Sequence, residues 1–585
     1  MQIYTRLTNF SSTVCKKKNF FTIDPLDVFF TFREVKQLKK LSVQCILQQQ
    51  EYAIMKDLTS YVYNFEELIQ GNFLYVDKTE YIWQLVRPSS AGYFLSRPRR
   101  FGKSLTLSTL KAVFEGKKEL FKDLAIYEKA YDWKPYPVIH LDLNGFDFSS
   151  LASVKESLSR LMKETAAYHN VKLTESSPDN MFREIIGELA KQQDVVILLD
   201  EYDKPILNNI VKAEIADVLA CMKSFYSVIK AFENKLRFAF ITGVSKFCHV
   251  SLFSDLNNLT DISMDSRYAA MFGYTQEELE SYFGDRIAAL AGEQTLDSFK
   301  AEIKSWYNGY RFHKNSKSVY NPVSLAQFFE SGGEFNNYWF ATGTPSFLME
   351  LTKKTEFDFR SVIGGDSVPE IAFSAFEIDN IDPLTLLLQT GYLTIKGTEQ
   401  KFGETWYFLD FPNKEVATAF SAYILNSYAA KTQTVGVRFV AEFATSLLNN
   451  DLKKLRKALE IFFAGIPYDV HKKQESTFQG IFFSLFRLLG VYVEAESTTN
   501  DGRIDAVVQT PKAVYIFEFK LDNDPTALEQ IKEKEYFKKY QLDTRDIYIV
   551  GVNFDSVKGN LVGWEEEKVD RDDFKTPHLP GVMNN

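Results

Sequence analysis

Between a short apolar run, Tyr93-Phe94-Leu95, and a stretch with helical spacing, Leu107, Leu110 and Phe114 closed by Gly116, stands the segment Ser96-Arg97-Pro98-Arg99-Arg100-Phe101-Gly102-Lys103-Ser104. A Gly-Lys-Ser at a strand-to-helix junction constrains the chain more than any other feature it has. The first helical N–H groups lack intrahelical acceptors and favour an anion there. Lys103 would reach the β/γ-phosphates of a nucleotide, and the Ser104 hydroxyl would ligate Mg²⁺. The usual pattern has glycine where this chain has Arg97. The loop is therefore expected in a modified shape, with Arg97, Arg99 and Arg100 adding positive charge near the phosphates. By itself the segment also fits a basic helix-capping loop.

A second element raises its weight. Val195-Val196-Ile197-Leu198-Leu199 reads as a buried strand ending in Asp200-Glu201. Asp200 would hold Mg²⁺, and Glu201 could polarise an attacking water. At the end of the next apolar run, Phe238–Ile241, stand Thr242 and then Ser245-Lys246, suited to sensing a γ-phosphate. These runs, with Val138–Asp142, alternate with helical stretches from about 55 to 250, which argues for a parallel sheet with helices on both faces.

Several segments together resemble the AAA-ATPase-like family: Tyr75-Val76-Asp77-Lys78-Thr79, Ser96–Ser104, Leu199-Asp200-Glu201-Tyr202-Asp203-Lys204-Pro205, Ile241–Phe247 and Leu256–Ile262. The likeness covers roughly residues 55–350. It implies a P-loop NTPase fold with bound ATP and Mg²⁺, in a family largely bacterial that carries the same Arg-rich loop. That family commonly ends in a nuclease-like domain.

The C-terminal part offers a second site. Gly502-Arg503-Ile504-Asp505-Ala506-Val507-Val508 is followed by a short turn and by Val514-Tyr515-Ile516-Phe517-Glu518-Phe519-Lys520. Residues two apart on a strand share a face, so Glu518 and Lys520 project together, and a hairpin-like return could bring Asp505 beside Glu518. Paired carboxylates repel unless a cation lies between them, which suits Mg²⁺ or Mn²⁺. Lys520 could orient or help deprotonate the attacking water. The pattern looks like the Asp…Glu-x-Lys signature of PD-(D/E)XK phosphodiesterases, and this resemblance implies auxiliary roles for Glu475 and Gln530. A lone Glu-x-Lys is more often a solvated charge pair; the apolar strands around this one argue otherwise.

The expected fold class is α/β multidomain. It divides into an extension over 1–54 (or, if translation starts at Met55, a segment that is not translated), a P-loop domain over 55–254 and a mainly helical lid or sensor region over 255–465. A small restriction-endonuclease-like α/β domain over 466–568, with strands at Val491–Glu494, Ile504–Val508, Val514–Phe519 and Ile547–Val552, and a tail over 569–585 complete it. The net charge of −9 gives no global attraction for nucleic acid, so any such site must be a local basic surface. Four scattered cysteines suggest neither zinc nor a disulfide framework, and no apolar run spans a bilayer, so a cytoplasmic protein is expected. His140 reads as a satisfied core residue and Cys248-His249 as no nucleophilic pair. Arg311 reads as a salt-bridging surface residue ahead of an ATP finger, and the lysines around Lys534 as a solvated face. The leading expectation is an ATP-binding, ATP-hydrolysing module joined to a Mg²⁺-dependent nuclease, with DNA ahead of RNA as substrate, no membrane partner and homo-oligomerisation left open. The alternatives are an ATP-switched binding platform with an inactive nuclease fold and an oligomerising signalling ATPase.

Overall fold

The computed structural model describes residues 56–246, 259–341, 367–373, 383–429, 434–464, 485, 494–500, 503–521, 527–555 and 560–570. The chain divides into two compact units, Met1–Asp57 and Leu58–Asn585, and all but two of the described residues belong to the second.

Helices α1 (Phe65–Gln70) and α2 (Thr79–Val86) lead into β1 (Ala91–Ser96) and α3 (Lys103–Phe114). There follow β2 (Val138–Asp142), α4 (Leu151–Tyr168), α5 (Pro178–Leu189), β3 (Val195–Asp200), α6 (Lys204–Leu207), α7 (Ile215–Ala231), β4 (Leu236–Gly243) and the short β5 (Thr260–Asp261). The order β2-β3-β4-β1-β5 is parallel throughout. All six residues of β3 are buried, as the continuous apolar run requires of a strand covered on both faces. Helix ends are set locally: Ser150 and Ser153 form a reciprocal capping box at α4, and Pro178 opens α5 where its missing N–H costs nothing. Because β4 lies between β1 and β3, the loop after β1 and the acidic end of β3 emerge on the same sheet edge, one strand apart. That edge is where open parallel sheets bind ligands.

The middle region is helical: α8 (Gln276–Leu290), α9 (Leu296–Tyr307), α10 (Pro322–Glu330), α11 (Tyr338–Ala341), α12 (Pro383–Thr390) and α13 (Lys414–Ala429). It also holds a small antiparallel sheet, β6-β8-β7, from β6 (Ser367–Pro369), β7 (Thr394–Lys401) and β8 (Glu404–Asp410). The β7–β8 turn places Phe402 and Gly403 both at positive φ. An exposed phenylalanine there gives none of the usual Asn-Gly signal, so this hairpin is not legible beforehand.

The last sheet runs β13-β12-β11-β10-β9, from β9 (Glu494–Asn500), β10 (Arg503–Gln509), β11 (Ala513–Leu521), β12 (Asp546–Asp555) and β13 (Asn560–Lys568). Only β11 and β12 pair in parallel, and α16 (Ala527–Glu533) makes the crossover between them. On one face Tyr515, Phe517, Val550 and Val552 pack with Phe443, Leu455 and Phe463 of α14 (Thr434–Leu448) and α15 (Leu452–Ala464). This core therefore begins upstream of the boundary expected at 466. On the other face Val514, Ile516 and Ile549 pack with Ile531 of α16. The helix expected through Phe478 lies outside the described residues apart from Leu485, which is buried in the α14–α15 core. Strand β13, rich in glutamate, was not foreseen.

Candidate functional site

The loop leaving β1 begins hydrogen-bonded to its neighbours: Ser96 N–H donates to Ser263 Oγ (2.8 Å) and Arg97 N–H to the Gly243 carbonyl (3.1 Å). Arg100 (φ 68°) and Gly102 (φ 88°) then turn the backbone through the left-handed region into α3. A Cβ at Gly102 would meet nothing within 4 Å, so the glycine serves the backbone angle and not a close approach. The Lys103 ammonium is buried and donates back to the carbonyls of Arg97 (3.0 Å) and Pro98 (2.9 Å). Burial lowers its pKa, with Asp200, Glu201 and Asp203 acting in the opposite sense. A polyphosphate would compete with those two carbonyls for the ammonium.

Ser104 Oγ donates to Asp200 Oδ2 at 2.6 Å across 96 residues of sequence. Asp200 is 1% exposed, and burial raises its carboxyl to about 6 against the pull of Ser104 and Lys103. A hydroxyl and a buried carboxylate side by side fit Mg²⁺, which takes few protein oxygens and completes its shell with water and phosphate. Glu201 stands at φ 52°, its amide on Asp200 Oδ1 (3.0 Å) and its carboxylate 3.8 Å from Lys204 Nζ.

Other expected contributors go elsewhere. Arg97 turns its guanidinium inward to the carbonyls of Ser96 and Ser263, over the ring of Phe312. Arg100 pairs with the Tyr63 hydroxyl, which leaves Arg99 as the exposed arginine of the three. Lys246 holds Asp261 at 2.8 Å, and Thr242 is wholly buried with its hydroxyl unpartnered. His140 sits in its strand with Nε2 lacking a hydrogen-bond partner, contrary to the satisfied residue expected; burial lowers its pKa and keeps it neutral. Cys248 and His249 lie outside the described residues.

Three features escaped sequence reasoning. Asp203 is buried and accepts from Val244 N–H (3.0 Å), Ser245 N–H (2.7 Å) and Ser245 Oγ (2.6 Å), so the acidic segment after β3 clasps the turn after β4. Gly243 makes that clasp possible, since a Cβ there would stand 2.5 Å from the Tyr202 ring. The middle region grips the loop from outside. Trp339 Nε1 donates to the Arg99 carbonyl (3.1 Å), while Glu415, buried at the start of α13, accepts from Trp339 N–H (2.7 Å) and Ser324 Oγ (2.8 Å). Finally, a cavity of about 120 Å³ adjoins Gly102, Leu105 and Thr106, walled by Tyr63, Tyr75 and Ala326 among others. A water needs roughly 10–15 Å³ on this measure, so there is room for a ring system. The quoted motif Leu199–Pro205 contained Asp203; nothing local announced Trp339 or the cavity.

In the C-terminal sheet the register sets Asp505 directly opposite Glu518, with Lys520 two positions further along β11. Opposed antiparallel positions lie about 4.5–5.5 Å apart at Cα. The Asp505 side chain and all of Glu475 are outside the described residues. Alternation places position 518 on the α16 face, with Val514 and Ile516, and the Glu518 carboxylate is completely buried. Its register neighbour on β12 is Gly551, where a Cβ would stand 2.4 Å from Leu528 N. That glycine lets α16 settle on the sheet and brings in Gln530, itself buried with its Nε2 unpartnered. Asp505 and Glu518, at opposed register positions, carry the oxygen-donor side chains that a divalent ion would take. Among the described residues no three His, Cys, Asp or Glu side chains cluster to hold a metal, and no helix is long and apolar enough to cross a membrane.

Comparison with known proteins agrees with both halves. Residues 61–253 match the model of a predicted AAA-ATPase, and residues 473–564 match that of the PD-(D/E)XK nuclease superfamily. An uncharacterised protein from the vnfD 5′ region of Azotobacter chroococcum is 36% identical over 530 residues, covering 88% of this chain and 99% of that one. A solved Walker-type ATPase of Pyrococcus abyssi aligns over 62% of this chain and 97% of its own at 11% identity, with a TM-score of 0.31. The chain belongs to the AAA-ATPase-like family and ends in a domain of the PD-(D/E)XK nuclease superfamily.

Proposed function

We propose that the chain binds and hydrolyses ATP with Mg²⁺ at the Lys103–Ser104–Asp200 cluster, and that this activity governs a Mg²⁺- or Mn²⁺-dependent phosphodiesterase acting on DNA. The observation that carries the first half is the 2.6 Å contact of Ser104 with Asp200 beneath a loop closed by Lys103. Lys103 binds the phosphates, Ser104 and Asp200 hold the ion, and Glu201, partly exposed beside them, orients water. The base docks in the cavity beside Gly102 and Thr106, where Tyr63 and Tyr75 offer aromatic surface. In the second half, Asp505 and Glu518 hold the divalent ion, which supplies Lewis-acid stabilisation and an activated water. Lys520 orients that water, and Gln530 steadies the site from α16. Incubating purified protein with single- and double-stranded DNA and RNA, with and without ATP and Mn²⁺, tests the reading. Cleavage of none of them under any condition would refute the nuclease half.

The complete burial of Glu518 favours a second reading, in which ATP switches a nucleic-acid or protein docking platform that cuts nothing. On that reading metal titration finds no binding at the C-terminal site in the millimolar range or tighter.

A further inference from the structure

Behind the phosphate loop lies a second cavity, of about 50 Å³, whose walls include none of Gly102, Lys103, Ser104, Asp200 or Glu201. With roughly 10–15 Å³ needed per water, it holds a few waters or one compact tetrahedral anion. Arg97, Arg311 and Lys246 line it, together with Phe312, Leu388 and Leu393, and no Asp or Glu among the described residues does. Arg97 is 1% exposed. Its Nη1 is committed to the carbonyls of Ser96 and Ser263, while Nε and Nη2 have no hydrogen-bond partner. The Phe312 ring, 4.2 Å from the guanidinium carbon, offers a π face and no acceptor oxygen. The Arg311 Nε is likewise buried without a partner, so the surface ion pair expected of this residue does not account for it.

We propose that Arg97 and Arg311 form a second anion site, distinct from the Lys103–Ser104–Asp200 cluster, that takes one tetrahedral oxyanion of the inorganic phosphate class. Three cations line the cavity, and among the described residues the carboxylate that acts on Arg97, Asp261, is engaged by Lys246 at 2.8 Å. Burial alone would raise the Asp261 carboxyl, yet Lys246 and Ser263 hold it below the usual carboxylate range, so it remains charged and committed to them. The positive excess thus belongs to the two arginines, whose planar N–H forks match phosphate oxygens. Burial also brings the Arg97 guanidinium down to about 9 despite Asp261, a cost that a bound anion relieves. The site bears on the loop because the Arg97 carbonyl is one of the two that Lys103 must leave to meet a nucleotide. An anion that fixes Arg97 fixes that carbonyl.

The test is to titrate sodium phosphate, against sodium chloride at matched ionic strength, into the full chain as wild type, Lys103→Ala and Arg311→Met. Melting temperature and calorimetric affinity are followed together. Phosphate-specific stabilisation is expected in wild type and in Lys103→Ala, with phosphate affinity at least tenfold weaker in Arg311→Met. No phosphate-specific effect in wild type means that the cavity holds only water, and overturns the proposal. Loss of phosphate binding in Lys103→Ala places the anion in the nucleotide loop and overturns it equally. Should Arg311→Met not fold, Leu388→Phe narrows the cavity without touching either guanidinium and is expected to show the same loss. Retention of phosphate by Lys103→Ala protein that has lost ATP separates this site from the nucleotide reading.

Discussion

The two sheets of this chain hold their acidic groups in opposite ways. In the parallel sheet the chemistry sits beyond the strand ends: Asp200 is the last residue of β3 and Ser104 the second of α3, and they meet only because the fold brings one edge together. In the C-terminal sheet the acids sit within the strands, with Asp505 and Glu518 paired across adjacent β10 and β11. The first arrangement sets the N-terminus of α3 beside Asp200 and leaves Glu201 partly exposed. The second buries the Glu518 side chain completely, on the sheet face that also carries Val514 and Ile516. An edge site can adapt to a ligand by moving a loop. Positions within paired strands are fixed by ladder hydrogen bonds.

That contrast can be broken outright by removing one group from each site. Lys103→Ala is expected to weaken ATP binding by more than 100-fold, measured by nucleotide titration, and to remove the ATP dependence of cleavage while metal affinity at the C-terminal site is unchanged. Asp505→Ala or Lys520→Ala is expected to abolish cleavage and leave ATP affinity unchanged. Intact cleavage by purified Asp505→Ala protein would remove the in-strand site altogether.

A finer contrast concerns backbone approach. At Gly551 an added Cβ meets backbone, Leu528 N at 2.4 Å, whereas at Gly243 it meets the Tyr202 ring and Asp203 Oδ1. Each Gly→Ala change is expected to cost about 1–3 kcal/mol, with Gly551→Ala the worse because a helix start cannot rotate aside. Urea melts that put Gly243→Ala lower would reverse the ranking.

Two pH effects sharpen the edge site. Asp200, raised to about 6 by burial, is protonated below that value and then ligates Mg²⁺ poorly. Mg²⁺-dependent ATP affinity is expected to fall by up to about tenfold per unit as pH drops below 6, and a flat profile from 7 to 5 would contradict this. Glu415, under the loop's tryptophan clamp, is raised from 4.5 to about 7 by burial. The folded protein therefore holds a proton that the unfolded chain releases. Stability from this group is full below pH 4.5 and lost as pH rises through 7. Glu415→Gln should flatten that window and stabilise the protein above pH 7 by on the order of 1 kcal/mol; equal melting curves at pH 8 would exclude it.

Legibility differed between the sites for a physical reason. Asp505 and Glu518 are joined by one short turn, so strand alternation alone placed them opposite one another. Asp200 and Ser104 were paired only through the order of motifs, because crossover helices hide which strands are adjacent. The expectation that Arg97 faces the phosphates came from charge and position in the loop. It did not foresee that Ser263 and Phe312, more than 160 residues away, would draw the guanidinium inward.

The residues alone determined that a turn and helix N-terminus suited to phosphate would form, that a buried strand would end in two acids, and that three polar groups would interrupt apolar strands near the C-terminus. Each is a short-range consequence of backbone angle, apolar periodicity or spacing. Only the tertiary structure decided that β4 would separate β1 from β3, that Trp339 and Glu415 would brace the loop, that α14 and α15 would join the C-terminal core, and that Arg97 would line a second cavity. Those outcomes depend on which apolar faces find one another across the chain, and such pairings leave no mark on any one stretch of sequence.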